Sequence, residues 1–192
     1  MPSYLTKPLT AETWPAFARI VEDNNGVWGG CWCMWYHTKD LKDASPEARR
    51  DAKECLVRQG QAHASLVFDG AACVGWCQFG SPQELPNIHN ARAYFATDPT
   101  LPDWRITCFF SGKGYRGKGV ASAALKGAVE QIRLLGGGRI EGYPENTESR
   151  KTSSAFLFNG TLSTFEKLGF ERTRPIGKHK WVVTKTVRRK SR

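Results

Sequence analysis

A short stretch in the middle of the chain combines glycines, basic side chains and the start of a helical pattern. It covers residues 115–125 and reads Tyr-Arg-Gly-Lys-Gly-Val-Ala-Ser-Ala-Ala-Leu, just after an apolar run at 106–110 that favours a β-strand. Glycines allow a tight turn in which successive N–H groups point at an anion, and the helix that follows adds partial positive charge. The order strand, glycine-rich turn, helix therefore predicts a phosphate-binding turn.

Three basic side chains, Lys113, Arg116 and Lys118, add full charges around this turn. The pattern is not a Walker loop, because no Gly-Lys-Ser/Thr follows at the required spacing, and it is not the G-x-G-x-x-G fingerprint of dinucleotide binding. The sequence thus predicts a polyanionic ligand held by a different kind of turn.

Two segments resemble the GNAT acetyltransferase superfamily. Arg116, Gly119 and Ala121 form Arg-x-x-Gly-x-Ala, which resembles the signature that holds the pyrophosphate of acetyl-coenzyme A in that superfamily. Residues 161–170, ending in Leu-Gly-Phe, resemble its late helix, at a similar distance along the chain. The resemblance is best from about residue 66 to 187, and before that it depends on the order of the elements alone.

The elements around these segments predict one mixed α/β domain over residues 1–187, followed by a basic tail at 188–192. Ser45 can cap a helix that begins at Pro46 and stops at Gly60. Further predicted elements are strands at 63–68 and 72–79, a helix at 120–135, a strand at 139–143 and a late helix at 161–168. The resemblance implies a twisted mixed sheet in which two central parallel strands splay apart between flanking helices.

The resemblance also implies a function, the transfer of an acetyl group from acetyl-CoA to a primary amine by direct attack, with no metal. The acceptor we expect is a small molecule; a protein-directed or ribosome-directed acetyltransferase and a non-catalytic acyl-CoA-binding module are the alternatives. The residues implied to bind the co-substrate are the backbone groups of Phe109, Phe110 and Ser111 for pantetheine, Arg116, Gly117, Lys118, Gly119, Val120 and Ala121 for pyrophosphate, and Asn159.

Glu141 is the candidate general base, because it lies in a predicted strand on the side of the cleft where acceptors enter in this superfamily. The alternative is a surface carboxylate that is solvated or paired with Arg139. The superfamily often has a tyrosine in its late helix that protonates the leaving thiolate. Here that position holds Phe165, so Ser163, Thr164 or a water would have to serve, or the thiolate leaves unprotonated.

The segment 26–37 is rich in aromatic residues and lies where the superfamily places its acceptor wall. We predict that Trp32, Trp35 and Tyr36 contact the acceptor, since dense aromatic rings can enclose an ammonium group. The alternative is a loop that its aromatic side chains hold against the core.

The formal charge of +10 favours anionic partners, but five positive charges lie in the last eight residues. Such tails are often only solvated, and the chain has no nucleic-acid-binding motif, so a coenzyme explains the charge as well as RNA would. No apolar run approaches the ~20 residues that cross a bilayer. We therefore predict no membrane segment and no nucleic-acid partner, while a homodimer stays open.

The six cysteines are scattered along the chain, which favours free thiols in a reducing compartment. Cys31-x-Cys33 followed by His37 lacks the second matched pair of a zinc site, so no metal is predicted. The first residues lack the basic-then-apolar pattern of a signal peptide, which favours a cytoplasmic protein.

Overall fold

The structure, a computed structural model, describes residues 4–148, 152–153 and 156–190. Its helices and strands, in chain order, are β1 (Leu5–Pro8), α1 (Trp14–Glu22), α2 (Pro46–Arg58), β2 (His63–Asp69), β3 (Ala72–Gly80), α3 (Ala91–Phe95), β4 (Trp104–Ser111), α4 (Val120–Leu134), β5 (Gly138–Gly142), α5 (Leu162–Glu166), β6 (Glu171–Ile176) and β7 (Lys180–Val187). A single 3₁₀ turn, Met34–Tyr36, lies between α1 and α2.

The strands form one seven-stranded sheet in the order β1-β2-β3-β4-β5-β7-β6. β4 and β5 are parallel, and every other neighbouring pair is antiparallel. Antiparallel neighbours can be joined by tight turns, whereas a parallel pair needs a crossover, which α4 supplies. The predicted α/β domain, with hairpins towards both ends and one crossover in the middle, is confirmed.

Side chains alternate across the sheet and form a core on each face. Leu66 packs towards α1 and α2, while its neighbour Val67 packs towards α4. The α4 face includes Leu125, Ile132 and Phe165, all fully buried. The sheet is therefore covered on both faces, and β4 and β5 lie at its buried centre.

Local signals placed most helix and strand ends correctly. The Ser45 hydroxyl accepts a hydrogen bond from the Ala48 N–H at the start of α2, as its N-cap position predicts. The helix predicted at 120–135 ends one residue earlier, at Leu134, and Leu135 is exposed. The late helix is also shorter than predicted, since Gly169, at a φ of 75°, lets the Phe170 N–H turn back to the Phe165 carbonyl.

The parallel pair diverges after three residues. Trp104, Arg105 and Ile106 of β4 pair with β5, but β4 continues to Ser111 while β5 ends at Gly142. The register between β3 and β4 shifts between Gln78 and Phe79, so Thr107, the first residue of β4 beyond its pairing with β5, has no partner on β3. The carboxyl-terminal half of β4 therefore has an edge that β5 does not cover.

The first residues of the basic tail lie against α4. The Lys190 N–H donates to the Arg133 carbonyl, and the Lys190 ammonium pairs with Glu130. Ser191 and Arg192 lie outside the described residues. Within the described ranges, no helix is both long and apolar enough to cross a membrane.

Candidate active site

A groove of about 680 Å³ follows the uncovered edge of β4. Its walls come from the end of β4, the turn before α4, the first residues of α4, the α1–α2 segment and the chain around α5. The residues that line it are Asn24, Val27, Trp28, Phe109, Phe110, Ser111, Tyr115, Arg116, Gly117, Gly119, Val120, Ala121, Ser122, Leu157, Phe158, Gly160, Thr161, Thr164 and Lys167.

The glycine turn forms one end of the groove, which we call the phosphate end (residues 115–121). Gly117 and Gly119 have φ values of 73° and 86°, a region that side chains disfavour, and Gly119 is the N-cap of α4. A Cβ at either glycine would point into open space. The turn is thus a cradle of bare backbone at a helix N-terminus, with Arg116 lining it, and such a cradle suits a phosphate group.

The β4 edge forms the middle of the groove. The Phe110 backbone pairs with Trp76 of β3, and the Gly112 N–H bonds the Val74 carbonyl on the same side. Since backbone groups alternate in direction along a strand, those of Phe109 and Ser111 face the groove. Of the three residues predicted to bond pantetheine, Phe110 therefore offers its side chain to the groove and not its backbone groups.

The opposite end, which we call the inner end, is closed by residues 158–162. The Phe109 N–H donates to the Phe158 carbonyl at 2.6 Å. Farther along, the Glu145 N–H bonds the Gly160 carbonyl and the Leu162 N–H bonds the Glu145 carbonyl, at 3.0 and 2.9 Å. These residues, which we call the closing segment (158–162), therefore fill the gap between β4 and the chain that follows β5.

Asn159 is buried beneath the inner end and does not line the groove. Its amide donates to the Thr107 carbonyl and to the Tyr36 hydroxyl, and its carbonyl oxygen accepts from the Lys180 ammonium. These three partners bind the closing segment to β4, to the α1–α2 segment and to β7 at once.

Four rings pack together beside this segment, and we call them the aromatic cluster (Trp28, Trp35, His89 and Phe158). His89 stacks on Trp35 at 4.2 Å between ring centroids and lies 5.0 Å from Phe158. Trp28 meets the edge of Phe158 at 6.5 Å and is 61% exposed. Burial, with the nearby Lys180 ammonium, lowers the pKa of His89 to about 4, so the imidazole is neutral near pH 7.

The predicted acceptor residues separate in the structure. Trp32 is 4% exposed and packs on Trp14 and Phe17 in the core, so its ring is held away from the groove. Trp35 belongs to the aromatic cluster, and Tyr36 is buried under it with its hydroxyl on Asn159. Trp28 is the tryptophan that reaches the groove wall. The exposure of Trp28 depends on how the segment folds, and the spacing of the aromatic residues in the sequence does not indicate it.

Glu141 is buried and lies outside the groove lining. Its carboxylate accepts hydrogen bonds from the Tyr94 hydroxyl at 2.7 Å, the Tyr143 hydroxyl at 3.2 Å and the Arg139 guanidinium at 2.5 Å. Burial and the bond to Glu141 raise the pKa of Tyr94 to about 12, so this tyrosine stays protonated. The pairing with Arg139, given above as the alternative to a catalytic role, is thus present, with the carboxylate buried and the Arg139 side chain 35% exposed.

Phe165 is fully buried and packs edge-to-face on Phe109 and Phe170. It lies next to Thr164, which lines the groove and whose hydroxyl is 2.8 Å from that of Thr161. Ser163 is exposed and is not among the lining residues. Thr161 and Thr164 are therefore the hydroxyl-bearing residues around α5 that line the groove.

Comparison with known proteins gives matches at the level of structure. No protein-family model matches the chain, and no curated protein matches its sequence. An acetyltransferase of Corynebacterium glutamicum, described as histone acetyltransferase HPA2 and related acetyltransferase, superposes with a TM-score of 0.56 at 16% identity, covering 95% of each chain. The fold is that of the GNAT acetyltransferases.

Two further GNAT-like structures differ in what their descriptions name. The PaiA N-acetyltransferase of Thermoplasma acidophilum, crystallised with coenzyme A, has a TM-score of 0.51 and 13% identity over 96% of this chain and 99% of its own. A ribosomal-protein-alanine N-acetyltransferase of Brucella melitensis has a TM-score of 0.53 and 15% identity over 95% and 99%. At such identities the GNAT likeness establishes the fold alone.

Proposed function

We propose that the protein is an N-acetyltransferase that uses acetyl-CoA and acetylates a small-molecule primary amine. The observation that carries this proposal is the groove itself. It joins a backbone cradle at the start of α4 to the uncovered edge of β4, at the point where the two parallel strands of a GNAT fold diverge. Acetyl-CoA supplies an acetyl group activated as a thioester, and the protein must hold it, orient the amine and manage the protons.

The phosphate end suits the pyrophosphate of the co-substrate. A Cβ at Gly117 or Gly119 would meet only open space, so the backbone at the N-terminus of α4 is accessible, and the helix dipole there favours an anion. Arg116 lines the same wall, and Lys118 adds a second cation from the same turn. Val120 and Ala121, as the first residues of α4, complete the cradle.

The edge of β4 suits the pantetheine arm and the thioester. Ser111 offers a backbone N–H and carbonyl to the groove, as a neighbouring strand would require. The Phe109 N–H is the donor best placed to polarise the thioester carbonyl. Because the Phe158 carbonyl accepts this N–H, residues 158–159 must shift when the co-substrate binds.

Glu141 remains our candidate for the base that accepts the proton of the amine. Its carboxylate accepts from the Tyr94 and Tyr143 hydroxyls, and both tyrosines are buried and do not line the groove. A hydroxyl can pass a proton on by donating its own while accepting another, so either tyrosine can connect Glu141 to a proton from the acceptor side. The Arg139 ion pair holds the carboxylate in place.

Thr164 takes the place of the missing tyrosine in this proposal. Its hydroxyl lines the groove next to Phe165 and can donate a hydrogen bond to the leaving sulfur, and Thr161 can orient it.

The acceptor, in this proposal, is bound by Trp35 and Tyr36 at the inner end and by Trp28 at the groove wall. Trp32 packs in the core and does not contact the acceptor. Asn159 acts by holding the closing segment rather than by contact with the ligand.

A non-catalytic acyl-CoA-binding module is the second candidate. It is favoured because the Phe158 carbonyl occupies the Phe109 N–H that would polarise the thioester. Release of free coenzyme A thiol from acetyl-CoA, measured across a panel of amines, separates the two. We expect release with at least one small amine and none without an amine. Binding by calorimetry with no release for any amine or peptide would instead favour the binding module. Release only with peptides would favour a protein-directed enzyme.

A further inference from the structure

Three cysteines meet beneath the aromatic cluster, and we call them the thiol cluster (Cys31, Cys33 and Cys108). The Cys33 Sγ lies 3.0 Å from the Cys108 Sγ, although the two residues are 75 positions apart in the chain. Cys31, two residues before Cys33 in the chain, interacts electrostatically with Cys33. The fold thus brings three sulfur atoms into a continuous chain of contacts.

The thiol cluster connects the α1–α2 segment, which forms part of the groove wall, to β4. Cys33 belongs to the α1–α2 segment, which carries Val27 and Trp28 of the wall, and Cys108 directly precedes Phe109 on β4. The segment holds a strained backbone, since Val27, Trp28 and Cys33 have φ values of 45°, 53° and 56°. A covalent bond between Cys33 and Cys108 would fix this segment against β4.

The surroundings of the cluster determine how an oxidant can reach it. Cys33 and Cys108 are buried, whereas Cys31 is half-buried and is the most accessible of the three. The hydrogen bond to Cys108 and burial raise the pKa of Cys33, while the nearby Lys53 ammonium opposes this. Lys53 is itself fully buried, and burial lowers its pKa to about 8. The pKa of Cys31 is raised as well, by its interaction with Cys33 and by burial, and the Lys53 charge opposes the rise in both thiols.

We propose that Cys33 and Cys108 are an oxidative modification site, at which a peroxide converts the two thiols into a disulfide bond. The Cys31 sulfur first attacks the peroxide and breaks its O–O bond, forming a sulfenic acid and one water. The Cys33 sulfur then displaces a second water and forms a bond to Cys31. The Cys108 thiol attacks Cys33, which restores the Cys31 thiol and leaves the Cys33–Cys108 bond. In sum, two thiols lose two hydrogen atoms and the peroxide is reduced to two waters.

The test is oxidation of the full chain with hydrogen peroxide, followed by intact mass measurement and peptide mapping under non-reducing conditions. We expect the loss of two hydrogen atoms, a linked peptide pair containing Cys33 and Cys108, and reversal by dithiothreitol. The oxidised protein should also melt at a higher temperature, because the bond restricts the unfolded chain. Mapping the wild type needs no variant and so does not depend on how a substitution affects folding.

Matched variants sharpen the assignment. Cys108→Ala should remove the linked pair, whereas Cys55→Ser, at an exposed thiol on α2, should leave it unchanged. Cys31→Ala should slow formation of the bond without changing the product. The proposal is overturned if the oxidised thiols map to another pair, if they carry only added oxygen, or if all six cysteines stay reduced. An unchanged rate in Cys31→Ala would overturn the entry role of that thiol.

Discussion

The phosphate end and the inner end of the groove are built in different ways. At the phosphate end, bare backbone and left-handed glycines face open space, and the residues that matter are neighbours in the chain. At the inner end, the Phe109 N–H and the Asn159 amide have protein partners that come from distant segments. The Glu141 carboxylate, which is buried outside the groove lining, is likewise occupied, by Tyr94 among others. Under the proposed function, one end binds its ligand as it stands, whereas the other must rearrange before the acetyl transfer.

The largest effect we expect is at the phosphate end. Gly119→Glu should abolish acetyl-CoA binding, because it places a negative side chain in the anion cradle and adds roughly 1–2 kcal/mol of left-handed strain. Isothermal titration calorimetry and the rise in melting temperature on ligand addition measure this. Gly60→Glu is the matched control, since Gly60 has a similar φ of 69° and open space at the end of α2. Normal acetyl-CoA binding by Gly119→Glu would show that the pyrophosphate does not bind at this turn.

Glu141→Gln, at the buried carboxylate outside the groove lining, should keep acetyl-CoA affinity but lower turnover by ~10²–10⁴-fold, the usual range for loss of a positioned base. The amide keeps the shape and can still accept from Tyr94, but it cannot take a proton. Glu84→Gln is the control, because Glu84 also bonds a ring, that of His63, and does not line the groove. Melting curves check that loss of the Arg139 pair has not unfolded the protein. Turnover within threefold of the wild type would leave Glu141 a structural role only.

The same contrast explains how much the sequence could predict. The phosphate end was predicted because a strand, two glycines, basic residues and a helix lie within a short stretch, and each acts through its local backbone preference. Trp32 and Glu141 could not be placed, since their surroundings depend on contacts made by folding. Glu141 meets Tyr94 across 47 residues, and Trp32 reaches the core through the left-handed turn around it. Nothing in the pattern of aromatic residues says which ring the fold exposes.

The third effect concerns stability, through His37 beneath the inner end. Its Nε2 lies 2.9 Å from the Lys53 ammonium, and burial with this charge lowers the pKa of His37 to about 2. The unfolded chain takes up a proton below pH ~6.5 but the folded one does not, so the free energy of unfolding falls as the pH falls. Between neutral pH and pH 5 the contribution of His37 to this loss should be about 2 kcal/mol, measured by urea denaturation as the difference between the wild type and His37→Gln.

His37→Gln should flatten this pH dependence, and His179→Gln should preserve it. The pKa of His89, about 4, adds a change in the same direction, so some dependence should persist in His37→Gln. Equal slopes in the wild type and His37→Gln would show that His37 is protonated in the folded state, and that the interior beneath the inner end is more open than the structure indicates.

The smallest effect tests the closing segment itself. The Phe158 ring contacts Trp28, His89 and the Lys180 ammonium, which lies 4.6 Å from its centroid. Phe158→Ala removes these contacts and should release the carbonyl that accepts the Phe109 N–H. If closing lowers the fraction of binding-competent protein, acetyl-CoA should then bind up to ~10-fold more tightly.

Calorimetry with Phe158→Ala and Phe156→Ala measures this gain against a matched control, because Phe156 lies two residues before Phe158, outside the closing segment, and is 62% exposed. We expect tighter binding in Phe158→Ala alone. Weaker binding would mean that the Phe158 ring is a wall for the ligand and not a part of the closure. The inner end would then be preformed like the phosphate end, and the difference between the two would lie only in how their residues are spread along the chain.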